Sequence, residues 1–371
     1  MMTIPLELHV VIMEWVYRLS QYDGLDYNTL RACALVCNAW TPTAQRLLFR
    51  RVPRLHSMPN RLVCTAATLL PILHTHPHLA AHVRFVDLVL PPAAAADTAS
   101  VALLELCTRV EGIILVKHLY SGAWDPDLEA RLRAMPLQPV FFKVAGHHEP
   151  VGRAIEVWPS VRALVVNMWH SYGGGASSHP IHVPGGLRAL SSHVDDIEWL
   201  LTPGSKLVAL RELDLAVPTW TDARCRYLTA SGVLPQLRVL TIVGDLCPPQ
   251  NILGQLTRLE HLVVGELPAQ DFDLPQSLRL LGSCRLFEAQ FLVAALRVLR
   301  NMQRVTCMVE PSEDKRMAIE CVCRDRGIEF EIDLGQPSIP VSLLWLPWAL
   351  RVMARLAGPL GHWHRLDCFV D

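Results

Sequence analysis

The chain has 371 residues, of which 51% are hydrophobic and 19% charged, with a formal net charge of −1. Such a chain is too apolar to be intrinsically disordered and has ample material for a packed core. Its near-zero charge lacks the basic footprint of a nucleic-acid binder, so no nucleic-acid partner is expected.

The N-terminus reads Met1-Met2-Thr3-Ile4-Pro5, with no basic stretch leading into a long apolar run, so no signal peptide is expected. Pro5 suits a first helical position, where its missing N–H costs nothing, and Glu7 in that turn complements the helix dipole. Leu8, Val11 or Ile12, Trp15 and Leu19 then recur at helical spacing. Gln21 to Asn28 is mostly polar and reads as a loop. A second helix is predicted from Thr29 to Ala39, with Leu30, Cys33, Val36 or Cys37 and Trp40 along one face. Thr41-Pro42 looks like an N-cap followed by proline at the first position of a third helix, which carries Ala44, Leu47 and Leu48. The basic residues Arg46, Arg50, Arg51 and Arg54 read as solvated helix ends. So small a bundle carries more apolar side chains than it can hide, and such a unit wants a partner.

These residues resemble an F-box. An Ile4-Pro5-Leu6-Glu7-Leu8 opening is followed by Ile12 and by a second block ending in Leu35-Val36-Cys37-x-x-Trp40. The stretch Leu30 to Trp40, with Ala44 to Phe49 behind it, is especially similar to F-box proteins of mushroom-type fungi. The opening isoleucine and the longish loop between helices depart mildly from the family pattern. The resemblance implies docking on a Skp-type adaptor, and through it on a cullin, in an SCF-type ubiquitin ligase. An amphipathic helix laying its apolar face into a groove is a recurring recognition mode. The adaptor-binding residues it implies are Pro5, Leu6, Glu7, Leu8, Ile12, Leu30, Leu35, Val36, Cys37 and Trp40. No catalytic residue is implied, because ubiquitin transfer would belong to other subunits.

Arg61 to Leu79 is predicted as a helix leading into Pro77-His78-Leu79-Ala80-Ala81-His82, a bridge that also resembles fungal F-box proteins. Pro91 to Ala96 reads as a surface loop. From Val83 onward, short strand-like apolar runs recur: 83–88, 110–116, 139–144, 161–166, 187–190, 210–215, 237–242, 259–264, 278–281, 302–308 and 328–334. Successive starts from Val161 through Leu278 lie 26, 23, 27, 22 and 19 residues apart. This spacing and the Leu-x-x-Leu-x-Leu core resemble leucine-rich repeats, in which no unit can bury its own face and neighbours stack. Helical pieces are predicted between strands at 126–135, 289–300 and 314–326. The glycine run Gly173-Gly174-Gly175 and the prolines behind it mark a flexible insertion over 172–186. An ordinary α/β sheet domain is the alternative, but no Gly-rich phosphate loop or long crossover helix speaks for it.

The expected organisation is therefore α/β: a three-helix F-box at 1–52, a helical bridge at 53–82, a leucine-rich-repeat-like solenoid at 83–335, and a Trp- and Pro-rich tail at 336–371. Strand alternation would expose Glu212, Asp214, Val239, Thr241, His261 and Val263 on the strand face, the expected target-binding surface. The Trp-rich tail is the rival target-binding surface, although Trp345, Trp348 and Trp363 are expected rather to cap the open end of the core.

Chemistry finds little foothold. His74, His76 and His78 form a His-x-His-x-His run without an acidic or thiolate partner at matching spacing, so no metal is expected. Cys321 and Cys323 lie two apart on a predicted helix and should diverge. No Lys-Ser/Thr follows the glycine run, which excludes a phosphate loop. No cofactor and no active site are expected. Eleven cysteines, odd in number and set among apolar neighbours, fit a reducing cytoplasmic or nuclear setting. The most apolar stretch, Ile339 to Leu350, is short and holds two prolines, so no membrane partner is expected. The receptor reading thus stands beside a repeat-based binding scaffold outside the ligase and, behind both, an enzyme whose site the sequence does not reveal.

Overall fold

A computed structural model of the chain describes residues 8, 10, 12–13, 27–52, 66–90, 98–117, 126–146, 148–168, 181–192, 200–201, 207–216, 220–243, 249–265, 274–283, 289–307 and 310–332. The chain divides into two units, 1–143 and 144–371. Both are α/β and built on parallel strands.

In the first unit, Leu8, Val10, Ile12 and Met13 are helical, followed by α1 (Tyr27–Val36) and α2 (Thr41–Leu48). Met13, Leu30, Ala44 and Leu47 form a fully buried cluster, with Cys33, Ala34, Trp40 and Leu48 packed against it. The predicted second helix thus starts and ends slightly earlier than expected. The cap also differs. Trp40 is the N-cap residue and Thr41 is already helical. Instead of capping, the Thr41 hydroxyl donates to the Ala34 carbonyl at 2.9 Å and fastens α2 to the end of α1.

Strand β1 (Arg51–Val52), which alternation in the sequence is too short to reveal, leads to α3 (Ala66–Thr75) and α4 (Pro77–Ala80). One helix was expected across this stretch, but it breaks at His76, with φ −127° and ψ 71°. The cause is Pro77, whose ring disfavours helical backbone in the residue before it. Next come β2 (Phe85–Leu90), α5 (Thr98–Leu106), β3 (Gly112–Lys117), α6 (Pro126–Ala134) and β4 (Phe141–Gly146), within which the two units meet in sequence. Strands β1, β2 and β3 pair in parallel and in chain order, with Arg51 opposite Phe85 and Phe85 opposite Gly112. Gly112 lies between two aromatic rings. A Cβ there would sit 2.6 Å from Phe85 Cδ1 and 3.2 Å from Phe141 Cδ1, so any side chain at 112 must push the Phe85 ring aside. Arg51 Nη2 donates to the buried Asp87 carboxylate at 2.8 Å, tying β1 to β2.

The second unit holds α7 (His148–Val157), β5 (Ala163–Met168), β6 (Ala189–Ser192), β7 (Glu212–Ala216), α8 (Asp222–Ser231), β8 (Val239–Val243) and α9 (Gln250–Leu253). It continues with β9 (His261–Val264), β10 (Leu280–Ser283), α10 (Ala289–Val298), β11 (Arg304–Cys307), α11 (Glu313–Asp325) and β12 (Glu329–Ile332). From β5 to β12 every strand pairs in parallel with the next in chain order. Leu190, Leu213, Leu215, Leu240, Ile242, Leu262, Val264, Leu281 and Val305 turn inward and are buried.

The strands begin about two residues later than the apolar runs that announce them. Leu187, Leu210, Leu237, Leu259 and Leu278 are buried on the turn into each strand, so their hydrophobicity belongs to the core but not to the ladder. Helix α8 ends in Gly232, whose φ of 69° is the left-handed conformation that closes a helix without Cβ strain. The glycine-rich insertion lies outside the described residues as far as Pro180, while Ile181 and Val183 behind it are buried. The loop expected at 91–96 and the tail 336–371, with Trp345, Trp348 and Trp363, also lie outside the described residues. Among the described residues no helix is long and apolar enough to cross a membrane.

Candidate functional site

The N-terminal helices divide their apolar residues between two fates. Met13, Leu30, Ala44 and Leu47 are core. Leu8 and Ile12, one helical turn apart, are 50% and 41% exposed, and Leu35 and Val36 at the end of α1 are 86% and 63% exposed. Helical spacing explains the split: positions 30, 33 and 34 share the inner face of α1, so 35 and 36 fall on the outer one. Cys37 beyond them is also exposed, and Trp40 is half-buried against the cluster. These four side chains make up half of the large exposed hydrophobics among the described residues.

One expected docking residue is corrected. Leu30 has no exposed surface and holds the bundle together, so its side chain is not available to a partner. Pro5, Leu6 and Glu7 lie outside the described residues.

On the second unit, the six residues expected on the strand face do come together. Glu212, Val239 and His261 are register partners across β7, β8 and β9, and Asp214, Thr241 and Val263 form the adjacent row. Five of them are half-buried. Asp214 is the exception: it is 7% exposed, contrary to the alternation-based expectation of an open face. Its row places it opposite Ser191, whose hydroxyl donates to the Asp214 carboxylate at 2.9 Å. Burial pushes the Asp214 carboxyl up to about 6, against the opposing effect of that hydrogen bond. Asp214 is therefore an internal polar group.

The groups that might carry chemistry are placed for other roles. His74, His76 and His78 are all exposed, with the rings of His76 and His78 edge-on at 5.9 Å. His82 is held below the usual histidine range by partial burial and by His78, Arg46, Arg84 and Arg109. That cationic setting disfavours a metal cation. Among the described residues no group of three or more His, Cys, Asp or Glu could hold a metal ion. Burial pushes Cys107 up to about 12 and both Cys307 and Cys323 up to about 11, so these thiols stay protonated and unreactive at neutral pH. Cys321 is exposed while Cys323 is buried, diverging as their spacing predicts.

No protein-family model matches the chain, and no curated protein matches it in sequence. The functional reading therefore rests on the residues themselves.

Proposed function

We propose that this chain is the substrate-recognition subunit of an SCF-type ubiquitin ligase. An F-box at 1–52 docks on a Skp-type adaptor and through it on a cullin, a helical bridge at 53–82 follows, and a leucine-rich-repeat-like solenoid at 83–335 holds a target protein. The chain supplies proximity and orientation, and the transfer chemistry belongs to other subunits.

One observation carries this reading. Leu8, Ile12, Leu35 and Val36, each filling a position of the F-box-like pattern, are exposed on helices that bury Met13, Leu30, Ala44 and Leu47 in a common core. Buried apolar anchors of this kind concentrate the energy of helix-in-groove interfaces. Free cysteines at Cys33, Cys37, Cys107, Cys225, Cys307, Cys321 and Cys323 fit work in the reducing cytoplasm or nucleus.

The test is capture of a purified Skp-type adaptor by the full chain. Leu8→Ala with Ile12→Ala should abolish capture while leaving the far-ultraviolet circular dichroism unchanged. Undiminished capture by that variant refutes docking through this face, and the chain is then better read as a repeat-based binding scaffold outside the ligase.

A further inference from the structure

In the second unit, the residue immediately before each of the strands β5 to β10 has one fixed backbone duty. The Arg162 carbonyl accepts from the N–H groups of Arg188 and Ala189 at 2.7 and 3.0 Å, and the Arg188 carbonyl accepts from Arg211 and Glu212 at 2.8 and 3.0 Å. The Arg211, Arg238, Glu260 and Arg279 carbonyls repeat this double acceptance toward the next strand. A carbonyl does this work whatever side chain it carries, as Glu260 demonstrates. The fold therefore does not demand arginine, yet the column reads Arg162, Arg188, Arg211, Arg238, Glu260, Arg279 along six successive strands.

Five guanidinium groups against one carboxylate make a cationic row on a chain of net charge −1. Arg162, Arg188, Arg238 and Arg279 are exposed. Arg238 approaches Glu260 at 3.7 Å, with its side chain still largely open to solvent. Arg162, Arg188 and Arg279 make no ion pair with a carboxylate among the described residues. Arg211 differs: its Nη1 donates to the Val208 and Leu210 carbonyls and to Gln236 Oε1, so it stitches the turn. With strands about 4.8 Å apart, the row runs about 24 Å, the reach of roughly seven residues of extended peptide.

We propose that this row is the docking strip for an acidic, extended segment of the target protein, read by arginines at successive strands. Charge distribution selects this occupant. A single phosphate dianion is bound best by guanidinium groups converging on one point, whereas these are spread one to a strand. Carboxylates distributed along an extended chain match that spread. The strip names the class of target and so rests on reading the second unit as the target-binding part. Its test needs no adaptor, so its failure and the failure of adaptor docking are separately visible.

The experiment titrates the full chain into a fluorescent peptide of alternating glutamate and serine, about eleven residues long. Arg188→Glu with Arg238→Glu should weaken binding at least about tenfold, Arg188→Lys with Arg238→Lys should weaken it less, and added salt should weaken wild-type binding. Adaptor capture by the same variants should not change. If the charge-reversed chain fails to fold, Arg162→Gln with Arg279→Gln takes its place and should weaken binding several-fold. The proposal is overturned by unchanged affinity in these variants, by equal binding of an all-serine peptide, or by tighter binding of a single-stranded RNA of equal charge. Absence of wild-type binding at low salt overturns it as well.

Discussion

The N-terminal helices and the repeated strands draw on the same apolar residue types and dispose of them in opposite ways. In the repeats, each leucine of the Leu-x-x-Leu-x-Leu core faces inward, including the one on the turn before the strand. In the helices, Leu30 is core while Leu35, five residues on and on the other side of α1, is almost wholly exposed. A parallel stack gives every inward side chain a neighbour above and below, so apolar content is used up by the fold. Two or three short helices surround only a small interior, and what exceeds it stays exposed. Equal hydrophobicity therefore goes into the core in one region and partly onto the surface in the other.

That contrast breaks most sharply at a repeat leucine. Leu240→Ala should cost about 2–5 kcal/mol, from lost transfer energy plus the cavity left behind, as read by chemical denaturation. A smaller loss is expected from Asp87→Ala, at about 1–3 kcal/mol, because it removes the charge-assisted hydrogen bond between β1 and β2 while Arg51 keeps access to solvent. Gly112→Ala should cost about 1–3 kcal/mol, since the new methyl group must displace the Phe85 ring.

Asp214 sharpens the picture inside the repeats. Its folded value of about 6 lies above the ordinary value of 3.8, so the native state binds more protons than the unfolded one between them. Stability should fall as pH rises through that window, because the charged form is the one burial disfavours. Asp214→Asn keeps an acceptor for Ser191 and removes the charge. It should therefore stabilise the chain at pH 8, on the order of 1–3 kcal/mol, and change little at pH 4. Parallel unfolding curves for the two chains across pH would contradict the buried-charge account. The smallest effect on stability is expected at the exposed end of α1, where Leu35→Ser should stay within about 0.5 kcal/mol of wild type.

Much of the strand order was legible because the inward leucines repeat at a nearly constant interval, and each run located its strand to within about two residues. The offset arises because Leu187, Leu210 and their counterparts are buried before the ladder starts, and hydrophobicity alone does not separate a turn from a strand. Helices α5, α7 and α8 escaped periodicity. Helix α8 shows why: it buries Arg224, Cys225 and Leu228 among polar neighbours, which makes a weak stripe. On α1, Leu35 and Val36 were readable from the motif, whereas the fate of Leu30 depended on which face met Met13 and Leu47. Burial of Asp214 was invisible because alternation specifies a direction from the sheet, not what packs there. The arginine column was hidden in plain sight, since only register reveals that those residues stand in one row.

Titration calorimetry with a purified Skp-type adaptor tests the central claim most directly, comparing the wild-type chain, Leu35→Ser with Val36→Ser, and the control Val208→Ser with Met317→Ser. All four positions are exposed, so all three chains should fold alike. The docking account predicts that the first variant loses at least about 100-fold in affinity, as two interface anchors warrant, while the control binds like wild type. Equal binding by all three chains, or no binding by the wild type, would contradict it.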